Sequence, residues 1–200
     1  MLFLNSRFLG LPVVSVQVAG RIGHVAEAII DPETLGVVAY KVEGPLVNRR
    51  EENILRTDDI REISTGNIFV DSIDELVSPE TVISIGKIME LNFKLLKHKV
   101  VTEKGKKVGT VIDFSFDSLS FAVYQLIVQR PLVKSFNNPE LTINRSQIVE
   151  IDDYKIVIKN DTEMVKIPLK NSGDLANFVN PFRGQTSHPE LQNQSQNEEP

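Results

Sequence analysis

The chain has 200 residues, 41% hydrophobic and 24% charged, with a net charge of −5 and no cysteine, which rules out disulfides, thiolate metal sites and cysteine nucleophiles. No stretch approaches the ~18 uninterrupted apolar residues of a membrane-spanning helix. The start, Met1-Leu2-Phe3-Leu4-Asn5-Ser6-Arg7, lacks the basic region and small-residue cleavage site of a secretory signal, so a cytoplasmic protein is predicted.

Charge is unevenly placed. Residues 1–86 hold 7 Lys/Arg against 13 Asp/Glu, whereas residues 87–170 hold 14 against 10. The first half is therefore acidic and the second mildly basic, a dipole able to orient a partner.

The same two halves share a pattern. Arg21-Ile22-Gly23-His24-Val25 leads through an apolar run to Asp31, and Lys107-Val108-Gly109-Thr110-Val111 leads likewise to Asp117, 86 residues on. The offset of 86 extends from Leu11 to Leu46, pairing Val14 with Val100 and Val42 with Val128. Beyond a loop two residues longer in the second copy it becomes 88, pairing Ile60 with Ile148 and Ile68 with Ile156. A repeat of this length implies one structural unit used twice. The predicted division is residues 1–86, residues 87–170, and a disordered polar tail over 171–200, whose last eighteen residues lack the apolar content to fold.

Within each copy the hydrophobic period is 2. Ala26, Ala28 and Ile30, and in the second copy Ile112, Phe114 and Phe116, are predicted to face inward along a strand. Asp31-Pro32-Glu33-Thr34 reads as a type I turn, matched by Asp117-Ser118-Leu119-Ser120. The returning strand is predicted to turn Val38, Tyr40 and Val42 inward, matched by Tyr124, Leu126 and Val128, and Pro45 or Pro131 ends it. Gly23 and Gly109 sit where the alternation changes phase, which predicts a bulge that curves the strand. Shorter strands are expected near Ile54, Ile60, Ile68, Leu141, Ile148 and Ile156. A helical turn is expected from Ser78 as N-cap and Pro79 in the first helical position.

This basic-apolar-Gly-x-Val pattern, followed by a strand, an Asp turn and a strand rich in Val and Tyr, resembles the PRC-barrel. That small β-barrel is found in the cytoplasmic part of the reaction-centre H subunit and in the C-terminal domain of a ribosome maturation factor. The resemblance covers about residues 2–170 as two tandem copies and implies an all-β fold of two small barrels. It also implies an adaptor or interaction role with no shared catalytic residue.

The residues themselves offer little chemistry. Gly105-Lys106-Lys107-Val108-Gly109-Thr110 has the letters of a phosphate-binding loop in the wrong order. His24, His98 and His188 are the only histidines, and the first two are not equivalent in the repeat. Asp31 and Asp117 are explained as turn-initiating residues. The sequence therefore predicts no enzyme, no cofactor, no metal and no small-molecule ligand. The candidate surface is basic: Lys94, Lys97 and Lys99 precede the first strand of the second copy, and Lys104, Lys106 and Lys107 follow its turn. Closing that hairpin would bring the two groups to one end of the barrel and attract phosphate. Two functions follow, a cytoplasmic protein-binding adaptor and an RNA- or ribosome-associated factor. A ligand or metal sensor between the barrels is a third and weaker reading.

Overall fold

The computed structural model describes residues 1–44, 53–131 and 139–160. The loops that carry the change of offset and the expected tail lie largely or wholly outside them. Strand β1 (Leu2–Leu4) and the short helix α1 (Asn5–Phe8) come first. The first repeat then supplies β2 (Pro12–Ser15), β3 (Gly20–Asp31), β4 (Gly36–Glu43), β5 (Ile54–Arg56), β6 (Glu62–Ile63), β7 (Ile68–Val70) and β8 (Leu76–Val77). Helix α2 (Ile83–Glu90) leads to the second repeat. That repeat comprises β9 (Lys99–Thr102), β10 (Lys107–Asp117), β11 (Val123–Gln129), β12 (Glu140–Asn144), β13 (Ile148–Ile151) and β14 (Lys155–Ile158).

The protein is mostly β, in two sheets of the same design. One runs β6-β7-β2-β3-β4-β5-β8 and the other β13-β14-β9-β10-β11-β12, so six strands occur in matching order. Each sheet is antiparallel except for one parallel pair, β2 with β7 and β9 with β14.

The bulges repeat as well. Between β3 and β4 the register slips at Ala26 and again at Val38, and between β10 and β11 at the equivalent Ile112 and Tyr124. A bulge leaves one residue unpaired and reverses the inward phase beyond it, which curves the strands. Three sequence expectations fail for this reason. Val38 turns to the outer face, where it packs on a second small cluster, and Val37 takes its core place. Tyr124 is 52% exposed, with Val123 buried in its place, and Ile112 is 39% exposed. A third slip, at Ile22 and at Val108, explains the phase change near Gly23 and Gly109. Gly109 is required by close approach: a Cβ there would lie 2.1 Å from the Gln129 carbonyl oxygen.

Register also corrects one pairing of the repeat. Val13 lies opposite Gly23 and beside Ile68, whereas Val100 lies opposite Gly109 and beside Ile156. Val13, not Val14, is the structural equivalent of Val100. The first hairpin loop is one residue longer than the second, so the offset along β2 is 87.

The Asp turns behave as the sequence predicts in one respect. Asp31 accepts from the Glu33 N–H and the Thr34 hydroxyl, and Asp117 from the Leu119 and Ser120 N–H groups and the Ser120 hydroxyl. Each turn is one residue longer than expected. Leu35 and Phe121 are left-handed, with φ of 50° and 53°, a conformation that is strained for bulky side chains. Both side chains are buried, which offsets that strain.

These two turns hold the halves together. Val37 N–H donates to the Phe121 carbonyl and Val123 N–H to the Leu35 carbonyl, both at 2.9 Å, flanking a bridge between Gly36 and Ala122. Leu35 and Val37 are the repeat equivalents of Phe121 and Val123, so the contact has pseudo-twofold symmetry. Strand β1 adds a second tie. It pairs with β10 of the second sheet, Phe3 opposite Phe116, and not with the sheet of its own repeat. Phe8 and Tyr40 meet at a tilt at 4.7 Å, Phe8 meets Phe116 edge-on at 5.2 Å, and Phe116 stacks on Phe121 at 5.9 Å. One hydrophobic core therefore spans both repeats.

The linker holds a surprise. Ser78 and Pro79 begin a 3-10 turn as expected, but Ser78 makes no side-chain cap, and helix α2 follows. Ile85 packs there over Ile29, Ala39 and Ile54, a second small core on the outer face of the first sheet. Their repeat equivalents are Ser115, Gln125 and Thr142, so only the first sheet has an apolar outer face for a helix to cover.

Candidate functional site

The six lysines singled out from sequence divide into groups. Lys94 Nζ lies 2.9 Å from Glu27 of the first sheet, so its charge is directed across to the acidic half. Lys97 is left-handed, with φ of 74°, and its N–H donates to Val111. Lys104 and Lys106 stand exposed at the β9–β10 turn, at the opposite end of β9 from Lys97. The expected single cluster is thus split along the length of the strand.

Lys99 and Lys107 do come together. Lys107 pairs with Val101 and Lys99 with Thr110, so both side chains project from the outer face while Val100 and Val108 point to the core. With Arg130 and Gln129 they line a cleft of about 550 Å³ floored by Val101, Gly109 and Pro131. Two lysines and an arginine over an apolar floor can hold an anionic group by charge-assisted hydrogen bonds.

His98, which the sequence groups with Lys94, Lys97 and Lys99 in the candidate basic surface, is instead buried in the structure. Its Nδ1 lies 2.7 Å from the Lys94 carbonyl and its Nε2 3.0 Å from the Asp152 carbonyl. It ties the approach to β9 to the β13–β14 turn. Among the described residues, no three His, Asp or Glu side chains converge as metal ligands.

A second surface lies between the halves and was not found from sequence. Residues 57–63, following β5 and running into edge strand β6, face the turn 118–121 across a groove of about 500 Å³. Its lining includes Ile60, Ile63 and Phe121 with Thr57, Asp58 and Glu62. Leu119, in the same lining, is 88% exposed. Arg61 also lines it, but its guanidinium is 2.5 Å from Asp71, which holds the arginine pKa above its ordinary value through the hydrogen bond and the charge.

By pseudo-symmetry the molecule should carry this groove twice. Arg56 pairs with Ala39 as Asn144 pairs with Gln125, which makes Thr57 and Arg145 equivalent. On the second side Arg145 Nη2 donates to the Thr34 carbonyl and spans the gap between the halves. On the first side the Thr57 hydroxyl turns back onto the Val38 carbonyl at 3.2 Å and spans nothing. No sequence pattern marks the site, because its walls come from segments about sixty residues apart that only the fold brings together.

No known protein family matches this sequence, and no curated protein is similar to it. Among the described residues, no helix is long and apolar enough to cross a membrane.

Proposed function

We propose that this chain is a non-enzymatic adaptor of the PRC-barrel kind, two tandem barrel-like repeats joined into one scaffold that holds a protein partner in the cytoplasm. The asymmetry of the inter-half surface carries this reading. On one side Arg145 bridges the halves, and on the pseudo-equivalent side a groove stands open over an apolar floor with Leu119 projecting beside it. Exposed large apolar groups beside a groove of this size mark contact surfaces. The shared core supports the reading, since packing both repeats on one core favours a preorganised contact surface.

A second reading rests on the cleft of Lys99, Lys107 and Arg130, which favours a phosphate backbone and hence an RNA- or ribosome-associated role. One experiment separates the two. The tagged chain is recovered from lysate at low and high salt, with and without ribonuclease, beside a Leu119→Glu variant and a Lys99→Glu/Lys107→Glu variant. A protein partner that survives both treatments and is lost with Leu119→Glu supports the adaptor. Partners lost with ribonuclease, with high salt and with the lysine variant support the RNA reading and retire the first.

A further inference from the structure

The open groove has an internal template for its occupant. On the bridged side the element equivalent to residues 57–59 places a guanidinium against the carbonyl of Thr34. On the open side the equivalent carbonyl is that of Ser120, which accepts no hydrogen bond among the described residues. Asp58 and Glu62 line the same groove and form no ion pair among the described residues. The one cation in the lining, Arg61, is already engaged by Asp71. Ser120, two carboxylates outside direct ion-pair distance of the neighbouring Arg56 and Arg61, and an apolar floor of Ile60, Ile63 and Phe121 thus line one volume.

Resting on the adaptor reading, we propose that this groove receives an arginine side chain from a protein partner, in the place that Arg145 fills on the other side. Arginine fits better than lysine because its planar fork of five donors reaches a carbonyl and a carboxylate together. Its methylene stem covers the apolar floor while its head meets the acidic rim. A groove of about 500 Å³ also admits an apolar neighbour of that arginine beside Leu119. The acidic balance of the first repeat favours approach of a basic segment.

The probe is N-acetyl-argininamide, titrated into the ¹⁵N-labelled full chain, with the N-acetyl amides of citrulline and lysine as controls. The expected result is saturable amide shifts confined to residues 57–63 and 118–121, absent with citrulline and at least about tenfold weaker with lysine. Thr57→Arg installs the missing bridge and should abolish the response. Asp58→Asn/Glu62→Gln, which leaves the groove open and the fold undisturbed, should weaken it about tenfold. Equal response to citrulline, or a response retained by both variants, overturns the proposal. In the lysate experiment, a partner held equally by wild type and Thr57→Arg overturns the arginine assignment and leaves the adaptor reading intact. If no protein survives salt and ribonuclease, the adaptor reading fails regardless of the titration.

Discussion

Tyr40 brings a hydroxyl into the centre of the molecule, where its side chain is fully buried between Phe8 and Phe121. The hydroxyl has no hydrogen-bond partner among the described residues, and burial pushes the phenol pKa well above its ordinary value. A buried polar group left unpaired costs about 1–3 kcal/mol. Tyr40→Phe should therefore stabilise the protein, by roughly 1 kcal/mol, read as a higher denaturant midpoint with an unchanged slope. Asp117 is a different case. The Met1 ammonium 3.0 Å away, then the Ser120 N–H and hydroxyl, lower its carboxyl pKa from 3.8 to about 2. A depressed folded value gives stability that is complete above the unfolded value near 3.8 and is lost as pH falls through about 2. Unfolding midpoints measured across that window should fall for the wild type and fall less for Asp117→Asn. Acetylating the Met1 amine should move the carboxyl titration upward by NMR.

Among the elements, the hairpins were the most legible part of the sequence, because the pattern at Arg21 and at Lys107 is local and occurs twice. Bulges were not legible. They add one residue to one strand without any compositional mark, which is why Tyr124 and Ile112 read as inward and stand outward. Gly109 stands out in the sequence, but the reason for it lies on the neighbouring strand, at the Gln129 carbonyl. Gly109→Ala should destabilise by about 1–3 kcal/mol, the usual penalty of overpacking, seen as a lowered melting temperature with the cleft beside it disturbed. Helix α2 is illegible in the sequence for a related reason. Its sequence, with Gly86 and two β-branched residues before Lys87, has poor intrinsic propensity, and it is held by packing of Ile85 on the first sheet. The basic candidate site was partly legible as six lysines, of which the fold gathers two with Arg130. The groove was wholly illegible.

At the level of the molecule, the repeats are not independent. Strand β1 lies at the start of the chain yet completes pairing on β10, and Phe8 from α1 packs on both Tyr40 and Phe116. Heating should give one calorimetric transition, with hydrogen exchange in the two sheets lost together. Removing residues 1–8 should destabilise both sheets at once, since it strips Phe3 and Phe8 from the shared core; loss of a single Phe side chain from a core costs about 3–5 kcal/mol. Two separate transitions, or damage confined to the first sheet, would contradict this coupling.

The bridge made by Arg145 also bears on how many partners the proposed adaptor would take. Two separate copies of one repeat, joined about a true twofold, would offer two identical sockets. In the tandem chain one socket is stoppered from within and the other stands open. On the adaptor reading proposed above, the tandem chain would engage one partner through this surface, where a true twofold pair would offer two equal ones.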